Sequence, residues 1–446
     1  MITLQERVHG SLSPNTWKLD KLHRILRVRK GNRNTGLKED NLLSLSYGRI
    51  IKRNIDTAKG LLPDSFETYQ IVEPGNIVIR LTDLQNDWRS LRQGLVTQRG
   101  IITSAYDALQ VSTAHDPRFW AYSLLALDLA KYYYSLGGGV RQSIKFSDFP
   151  NDWIAAPNIE TQKTIADFLD SKTEKIDKLI EKKQQLVKLA DEKRSTLITA
   201  AVNGQIDTQN GKWLASEGSC GKAVMRLRHM VRLGPSPMEV QFLCPTDEVT
   251  FAPMDALADG LGGLDASRAK PLNEVVNGSY NYFSEGDVLL AKVTPCFENG
   301  KKAIAQSLSN GVGFATSEVH VIRPDCKKID TQFLRFLLCA EDFRAQGIRS
   351  MTGAGGLRRV SENGILDYRP KTTDLKTQKD IADFLAKETA RIDTLKTKTL
   401  VSIDLLREHR SALIIAAVTG QIDIATWRKQ GQTDRNLDAI EQAAPA

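Results

Sequence analysis

Two long stretches of the chain carry the same helical pattern of apolar positions. Within residues 161–207, mostly apolar side chains recur at steps of three and four from Ile165 to Ala201, with polar interruptions such as Lys172 and Arg194, and residues 377–423 repeat this pattern. The two stretches align without a gap, and 26 of their 47 positions are identical. The spacing predicts a long amphipathic helix with coiled-coil character. Identity at this length without a gap indicates an internal duplication.

Both predicted helices end at a glycine. Neither stretch contains proline or glycine before Gly204 in the first copy and Gly420 in the second. Glycine is the residue most often found just after a helix end, so these two positions predict C-caps. A helix of about 40 residues would be roughly 60 Å long.

A globular stretch precedes each helix, and the two globular stretches resemble each other in order and spacing. The runs "NIVIRL" (76–81) and "DVLLAKV" (287–293) read as strands, while "FWAYSLLALDLAKYYY" and "QFLRFLLCAEDF" read as short helices. We therefore predict an α+β fold with two mixed α/β domains alternating with two long helices. The predicted segments are a first domain (1–160), a first helix (161–203), a linker (204–222), a second domain (223–376), a second helix (377–419) and a polar tail (420–446).

The matched helices are expected to pack on each other. Parallel packing would require the linker and the second domain to cover the whole helix length, near the stretched limit of about 20 residues. Antiparallel packing needs only the short linker. We therefore predict an antiparallel coiled coil whose two halves, each with its globular domain at one end, are related by a pseudo-two-fold axis.

The C-terminal ends of both helices are apolar around nearly their whole circumference, in "TLITAAVNGQI" and "ALIIAAVTGQI". Such a helix needs neighbours on more than one face. One interpretation is a docking surface for a partner subunit, and the alternative is that the ends pack beneath the globular domains of this chain. The docking interpretation assigns the partner interface to Leu197, Ile198, Ala201, Leu413, Ile414 and Ala417.

Composition adds limited information about partners and compartment. The net charge is +8 and the pI about 9.1, which fits either a polyanionic partner or a solvated basic surface. The five cysteines show no CxxC spacing, the N-terminus has no secretory signal, and the apolar runs are too short for a membrane span. We expect a cytoplasmic protein without a membrane segment.

Sequence motifs for catalysis are missing. The chain has no G-x-x-x-x-G-K-[ST] phosphate loop, its six histidines do not pair at metal-ligand spacing, and no nucleophile stands beside a base. These features predict a binding protein without catalytic or metal-ligating residues.

This arrangement resembles the specificity subunit of type I restriction-modification systems. The resemblance is carried by the two phrases "TQKxIADFL" and "LIxAAVxGQID" and by the second-domain stretch "EGDVLLAKVTPCFENGKKA…GVGFATSEVHVIRP…MTGAGGLRRV". The first domain matches less closely, because it lacks the "TPCFENGK" phrase.

The resemblance implies a function, a set of partners and a location for the chemistry. Each globular domain would be a target-recognition domain that reads one half of a split sequence in double-stranded DNA, and the helices would fix the gap between the halves. The subunit would assemble with two methyltransferase subunits and with translocating nuclease subunits. S-adenosylmethionine, ATP and Mg would bind to those partners, and none to this chain.

Candidate DNA-contacting residues lie in glycine-rich loops and beside a predicted strand. Arginine recognises guanine and glutamine recognises adenine in the major groove, whereas lysine suits phosphate contacts. The candidates are Arg358, Arg359, Lys292, Lys301 and Lys302 in the second domain, and Arg141, Gln142 and Arg80 in the first. The alternative for each of them is a solvated surface residue.

Two other functions remain open from the sequence. The chain could be a coiled-coil scaffold with two protein-binding heads, which salt-dependent DNA binding would distinguish. It could also be a self-sufficient restriction or modification enzyme, which the missing motifs disfavour.

Overall fold

The computed structural model describes residues 3–10, 14, 16–54, 65–87, 91–136, 143–149, 151–208, 211–213, 224–353, 356–371, 373–422 and 424. The chain divides into two compact units, unit 1 (Met1–Gln184 with Thr399–Ala446) and unit 2 (Gln185–Lys398). Each unit combines a mixed sheet-and-helix body with one half of each long helix, so the predicted α+β class is confirmed.

Unit 1 combines short strands with short helices. Its strands are β1 (Lys18–Lys21), β2 (Leu26–Val28), β3 (Leu43–Ser46), β4 (Arg49–Lys52), β5 (Gln70–Val72), β6 (Ile77–Ile79), β7 (Gln93–Leu95), β8 (Gly100–Ile102), β9 (Asp107–Val111) and β10 (Trp153–Ala156). Its short helices are α1 (Leu4–His9), α2 (Leu22–Ile25), α3 (Pro117–Leu129) and α4 (Tyr132–Ser135).

The main sheet of unit 1 is antiparallel, with strand order β2-β9-β6-β7. The pairs β1-β10, β3-β4 and β5-β8 are separate two-stranded elements. The run "NIVIRL", predicted as a strand, forms β6, and all three residues of β6 are buried. Asp116 caps the start of helix α3. The helix is buried along most of its length, and its residues Phe119 and Trp120 belong to the core.

Unit 2 has two four-stranded sheets. Its strands are β11 (Ile206–Asp207), β12 (Lys212–Trp213), β13 (Val231–Leu233), β14 (Glu248–Ala252), β15 (Ala269–Pro271), β16 (Tyr280–Ser284), β17 (Val288–Ala291), β18 (Lys302–Ile304), β19 (Val312–Thr316) and β20 (Val319–Pro324). Its short helices are α6 (Leu272–Val275), α7 (Thr331–Leu337), α8 (Glu341–Arg349) and α9 (Glu362–Leu366).

One sheet of unit 2 corresponds to the main sheet of unit 1. Its order is β13-β20-β17-β18, in which β17 pairs antiparallel with both neighbours. The second sheet has the order β15-β14-β19-β16 and includes a parallel β14-β19 pair. Strands β11 and β12 form a small hairpin inside the segment predicted as a linker.

The two long helices are α5 (Ile159–Val202) and α10 (Leu375–Val418). Their starts are capped alike, since Asn158 accepts from the Thr161 N–H at 2.9 Å and Asp374 from the Thr377 N–H at 3.0 Å. Their ends are also alike.

In the described part of the chain, no helix combines the length and apolar character needed to cross a membrane.

The predicted glycine C-caps are confirmed. Gly204 and Gly420 have φ angles of 66° and 76°, in the left-handed region where glycine carries no side-chain penalty. In each case the glycine N–H bonds back to the second helical residue from the end, and the following glutamine N–H bonds to the third. This pair of bonds is the Schellman arrangement, which satisfies carbonyls that a helix end leaves without partners.

Within each unit, the two helix halves pack in opposite directions. In unit 1, Arg410 near the end of α10 contacts Asp177 in the first half of α5, with Nε to Oδ1 at 2.9 Å. In unit 2, Arg194 near the end of α5 contacts Asp393 in the first half of α10, with Nη2 to Oδ2 at 3.3 Å. The same Arg–Asp pair is therefore formed twice, and antiparallel packing is confirmed inside both units.

The duplicated glutamine of the "TQK" phrase links each long helix to its globular body. Gln162 accepts from the Asp116 N–H at 2.9 Å and donates to Pro157 O at 2.8 Å. Gln378 accepts from the Asp330 N–H at 2.9 Å and donates to Thr373 O at 2.8 Å. Asp116 and Asp330 are the N-caps of α3 and α7. Each glutamine therefore joins the start of a long helix to the start of a core helix.

We predict that Gln378→Ala loosens unit 2 at this junction. The substitution leaves the Asp330 N–H and two carbonyls without their partner, and each unsatisfied buried group costs about 1–3 kcal/mol. Amide hydrogen exchange should become roughly 5- to 150-fold faster across Lys328–Leu337. Gln162→Ala should produce the same effect around Asp116 in unit 1.

The matched control is Gln184→Ala, because Gln184 is an exposed glutamine of the long helix α5. Its exchange pattern should equal that of the wild type. Unchanged exchange in Gln378→Ala would show that the buried carboxamide does not hold the junction together.

Candidate nucleic-acid interface

The predicted site residues of unit 2 gather at one end of β17. The Lys292 N–H donates to Glu318 O at 3.0 Å, and the Val360 N–H donates to Lys292 O at 2.8 Å. Val293 and Arg359 form an antiparallel bridge. The segment after β17 is therefore flanked by the start of β20 on one side and by residues 358–360 on the other. We call this surface the β17 edge.

Backbone pairing holds the two neighbouring arginines at the β17 edge. Thr352 and Arg359 exchange backbone hydrogen bonds of 3.0 and 2.8 Å, and the Arg358 carbonyl accepts from the Thr294 N–H at 2.9 Å. The backbone of Arg358 and Arg359 is thus fixed by pairing on both sides. Successive side chains along an extended segment point to opposite faces, so the two guanidinium groups have different surroundings.

Arg359 is compensated by a carboxylate, whereas Arg358 is not tightly paired. The Arg359 guanidinium donates to both oxygens of Glu318 at 2.7 to 3.1 Å. These hydrogen bonds are the main reason why the pKa of Glu318 lies below its ordinary value. Arg358 has a half-exposed side chain whose nearest carboxylate is Glu298, at 3.8 Å. Arg358 is the candidate best placed to bind an external acceptor.

The neighbouring lysines Lys301 and Lys302 also differ in whether their side chains can reach an external partner. The Lys301 ammonium donates to Leu257 O at 3.1 Å, lies 3.9 Å from Asp259, and remains partly accessible. Lys302 is 1% exposed, and its ammonium contacts Gly300 O and the Cys339 thiol, each at 3.2 Å. This burial contradicts the predicted DNA contact of Lys302, because a buried ammonium does not reach a phosphate.

His320 lies beneath the β17 edge and supports it. Its Nε2 is 3.1 Å from Val360 O, and the residue is buried. Burial is the main cause that lowers the pKa of the imidazole, which favours its neutral form near pH 7. His320 therefore has a structural role at the β17 edge.

The loop after β17 is compact and well supported. Its backbone folds on itself through the Gly300 N–H to Phe297 O bond and the Lys301 N–H to Cys296 O bond, at 2.9 and 3.0 Å. Phe297 is buried against Gly347, where a Cβ atom would come within 2.3 Å of the ring. Arg344 donates to Glu298 O. The loop that flanks Arg358 is therefore held by the core.

Unit 1 repeats this edge with different side chains. The Ile144 N–H donates to Leu81 O at 3.0 Å, as Val360 does to Lys292 in unit 2. By this correspondence the buried Leu81 takes the place of Lys292. Arg80 is half-buried at the end of β6, and its N–H donates to Arg92 O at 2.7 Å. The predicted contacts Arg141 and Gln142 lie outside the described residues.

Arg92, part of a basic stretch in the first domain, is a structural residue. Its guanidinium is fully buried and bonds to the carbonyls of Thr82, Asp83 and Asp87 and to the Tyr134 hydroxyl. Its N–H donates to Asp128 at 2.6 Å. Burial is the largest influence on that carboxyl and raises the pKa of Asp128 to about 6. Arg92 thus braces the loop after β6 from inside.

The residues predicted as a partner interface are mostly buried within the chain. Leu413, Ile414 and Ala417 belong to the core of unit 1, while Ile198 and Ala201 belong to the core of unit 2. Leu197 is only partly buried, and it packs against the unit 2 core. The docking interpretation is therefore wrong for the five buried side chains, and it stays a prediction for Leu197. The alternative is correct, because the apolar helix ends pack beneath the globular bodies.

Among the described residues, no group of three or more His, Cys, Asp or Glu side chains is arranged to hold a metal ion.

Comparisons with known proteins point to one family. No protein-family model matches the chain. It is 30% identical over 209 residues to the specificity subunit of the type I restriction enzyme EcoEI of Escherichia coli, and this match covers 44% of the chain and 34% of that subunit. It is 34% identical over 209 residues to the EcoAI specificity subunit of Escherichia coli, covering 44% and 35%. The match thus spans about a third of the length of these curated relatives.

The fold comparison extends over nearly the whole chain. A solved structure described as the structural basis of complex assembly and conformational transition of the type I R-M system aligns with a TM-score of 0.65 at 14% identity. That alignment covers 92% of this chain and 100% of the other. The HsdS subunit from Thermoanaerobacter tengcongensis aligns with a TM-score of 0.49 at 14% identity, covering 92% and 98%. The two sequence matches, together with the fold shared with the first of these structures, confirm the resemblance of this chain to the specificity subunits of type I restriction systems.

Proposed function

We propose that this chain is a non-catalytic DNA-recognition subunit of a type I restriction-modification complex. Unit 1 and unit 2 would each read one half of a bipartite target in double-stranded DNA. The long helices would set the spacing between the two half-sites.

The observation that carries this proposal is the placement of Arg358. Its backbone is fixed by pairing with Thr294, its guanidinium is half-exposed, and the nearest carboxylate is 3.8 Å away. A rigidly held arginine with free donors is the commonest reader of guanine in the major groove. Lys292 and Lys301 flank it and suit phosphate contacts.

The duplicated framework supports two reading surfaces. Both units place a strand end, a loop and a returning segment at corresponding positions, as the paired bonds at Leu81 and Lys292 show. Each body is joined to a long helix through an equivalent buried glutamine. Similar frameworks with different exposed side chains suit the reading of two different half-sites.

The catalytic steps would reside in partner subunits. The proposed partners are two methyltransferase subunits, which would bind S-adenosylmethionine, and translocating nuclease subunits, which would use ATP and Mg. Because Leu413, Ile414 and Ala417 are buried, the methyltransferase contact would use other surfaces of this chain.

Mapping of methylated adenines tests this function directly. Genomic DNA from the host should carry a bipartite methylated motif when the gene is intact, and the motif should disappear when the gene is deleted. Retention of every methylated motif after deletion would reject the proposed function and favour the scaffold alternative.

We predict that Arg358→Ala weakens recognition of one half-site and not of the other. Loss of a bidentate arginine–guanine contact costs about 1–3 kcal/mol of discrimination. Fluorescence anisotropy on duplexes with either half-site altered should show that the variant no longer distinguishes one of them.

The salt dependence of wild-type binding should be steep, because phosphate contacts release counterions.

Arg232→Ala provides the matched control for this prediction. Arg232 is an exposed arginine of unit 2 on the edge strand β13, so its removal lowers the net charge equally. Both variants losing affinity uniformly for every sequence would assign Arg358 to a phosphate. Identical discrimination in Arg358→Ala and the wild type would remove it from base recognition.

We further predict that Glu318→Gln strengthens DNA binding. The carboxylate compensates Arg359, and its lowered pKa keeps it ionised at neutral and mildly acidic pH. In the wild type this compensation is lost only as the pH falls through that lowered pKa. Without the charge, Arg359 can release an additional counterion on binding, so the log–log salt slope should steepen by about 0.9.

Asp325→Asn is the control for Glu318→Gln, because Asp325 follows the opposite end of β20 and pairs with Lys328 at 3.0 Å. It changes the net charge by the same amount and should leave the slope unchanged. Equal steepening in both variants would attribute the effect to net charge alone.

A further inference from the structure

Two exposed aromatic side chains stand out in the described part of the chain. Tyr47 in unit 1 is 80% exposed and Phe242 in unit 2 is 89% exposed, while the other Phe, Tyr and Trp side chains whose burial the structure describes are buried or half-buried. Burial of an aromatic ring is a large stabilising contribution. A ring that is left in water at a fixed position therefore calls for a separate explanation.

Tyr47 lies at the tip of the β3-β4 hairpin, in a conformation that tyrosine rarely adopts. Ser46 pairs with Arg49, so Tyr47 and Gly48 form a two-residue turn. Their φ angles are 45° and 78°, which is the sign pattern of a type I′ turn. Asparagine or glycine is the usual first residue of such a turn. A bulky side chain with positive φ is a strained choice.

The hairpin is held firmly against the body of unit 1. A Cβ atom at Gly94 would lie 2.8 Å from the Leu45 side chain and 3.0 Å from Ile50, so the hairpin crosses β7 in close contact. The Arg49 guanidinium pairs with Asp177 of α5 at 2.7 Å. The tip is therefore positioned by packing on one side and by an ion pair on the other.

The tip stands at the edge of unit 1 that corresponds to the β17 edge. A Cβ atom at Gly48 would lie 2.8 Å from Leu91. Leu91 ends the loop that follows β6 and precedes Arg92, whose carbonyl accepts from Arg80. Tyr47 is thus next to the counterpart of the loop that carries Lys301 in unit 2.

We propose that the β3-β4 hairpin enters the major groove of the half-site read by unit 1, with Tyr47 contacting base edges. This inference rests on the proposed DNA-recognition function. A two-stranded ribbon fits the major groove. The tyrosine ring can pack on a thymine methyl group, and its hydroxyl can donate to or accept from a base. The exposed Lys52 at the base of the ribbon suits a phosphate.

The test uses the full-length chain and duplexes built from the methylated motif of the host. Affinity is measured by fluorescence anisotropy for the intact target, for either half-site altered, and for unrelated DNA, over a range of salt. The variants are Tyr47→Phe, Tyr47→Ala and Tyr47→Asn. Phe242→Ala is the matched control, because Phe242 precedes β14 at the end of the sheet away from Glu318.

Tyr47→Ala and Tyr47→Asn should each weaken binding to the intact target by about tenfold. Both should lose discrimination at one half-site, which must be the one that Arg358→Ala leaves unchanged. The salt slope should stay at the wild-type value, because a neutral ring releases no counterion. Tyr47→Phe should retain most of the affinity, and Phe242→Ala should bind as the wild type does.

Tyr47→Asn separates a lost contact from a lost fold. Asparagine tolerates positive φ and is favoured before glycine in this turn, so hydrogen exchange in β3 and β4 should be as slow as in the wild type or slower. Faster exchange there, together with weaker binding, would make Tyr47 a structural residue and overturn the inference.

Other outcomes also decide the question. Wild-type discrimination in Tyr47→Ala, equal weakening on all DNA, or an effect on the same half-site as Arg358→Ala would each overturn the inference while leaving the proposed function intact. Failure of the wild-type chain to prefer the methylated motif over unrelated DNA would reject the proposed function itself.

Discussion

The constraint on which both units depend is the buried carboxamide at the start of each long helix. Gln162 and Gln378 are each 1% exposed, and a buried amide without partners destabilises the fold. Their hydrogen bonds bring a core-helix N-cap and the loop before the long helix to the same point. The body and the long helix are thereby fixed to each other. This explains why the same short phrase occurs twice: each junction needs the same amide in the same place.

The antiparallel Arg–Asp pairs supply a second constraint of the same kind. Arg410 with Asp177 and Arg194 with Asp393 are equivalent residues of the two sequence copies, exchanged between the helices. A single duplicated pair of residues thus produces one equivalent contact inside each unit. Partly exposed ion pairs add little stability, so their principal effect is on register and direction.

The sequence predicted what depends on local periodicity and left open what depends on neighbours in space. Helix bounds and both glycine caps follow from spacing and from the special conformations of glycine, and they agree with the structure to within two residues. The apolar helix ends correctly indicated that more neighbours were needed, but periodicity cannot identify them, and they proved to be core residues of the same chain. Sequence alone did not distinguish Lys301 from Lys302. Strand β18 begins at Lys302 and is buried on both faces, so the alternation of polar and apolar positions that marks a half-exposed strand is missing. Arg359 was likewise assigned without knowledge of Glu318, which is distant in sequence.

The two units show how one framework accommodates different surfaces. Gly94 and Ala303 occupy equivalent positions, because each pairs with the middle of the corresponding central strand, opposite Val78 and Leu289. At Gly94 the missing Cβ leaves room for the β3-β4 hairpin to cross the strand. Ala303 is instead buried in a hydrophobic cluster of unit 2. The two edges therefore carry different neighbours at equivalent positions, while the backbone pairing with the adjacent strand is the same. Differences in what the units contact can therefore arise at the edge without disturbing the glutamine junctions on which the fold depends.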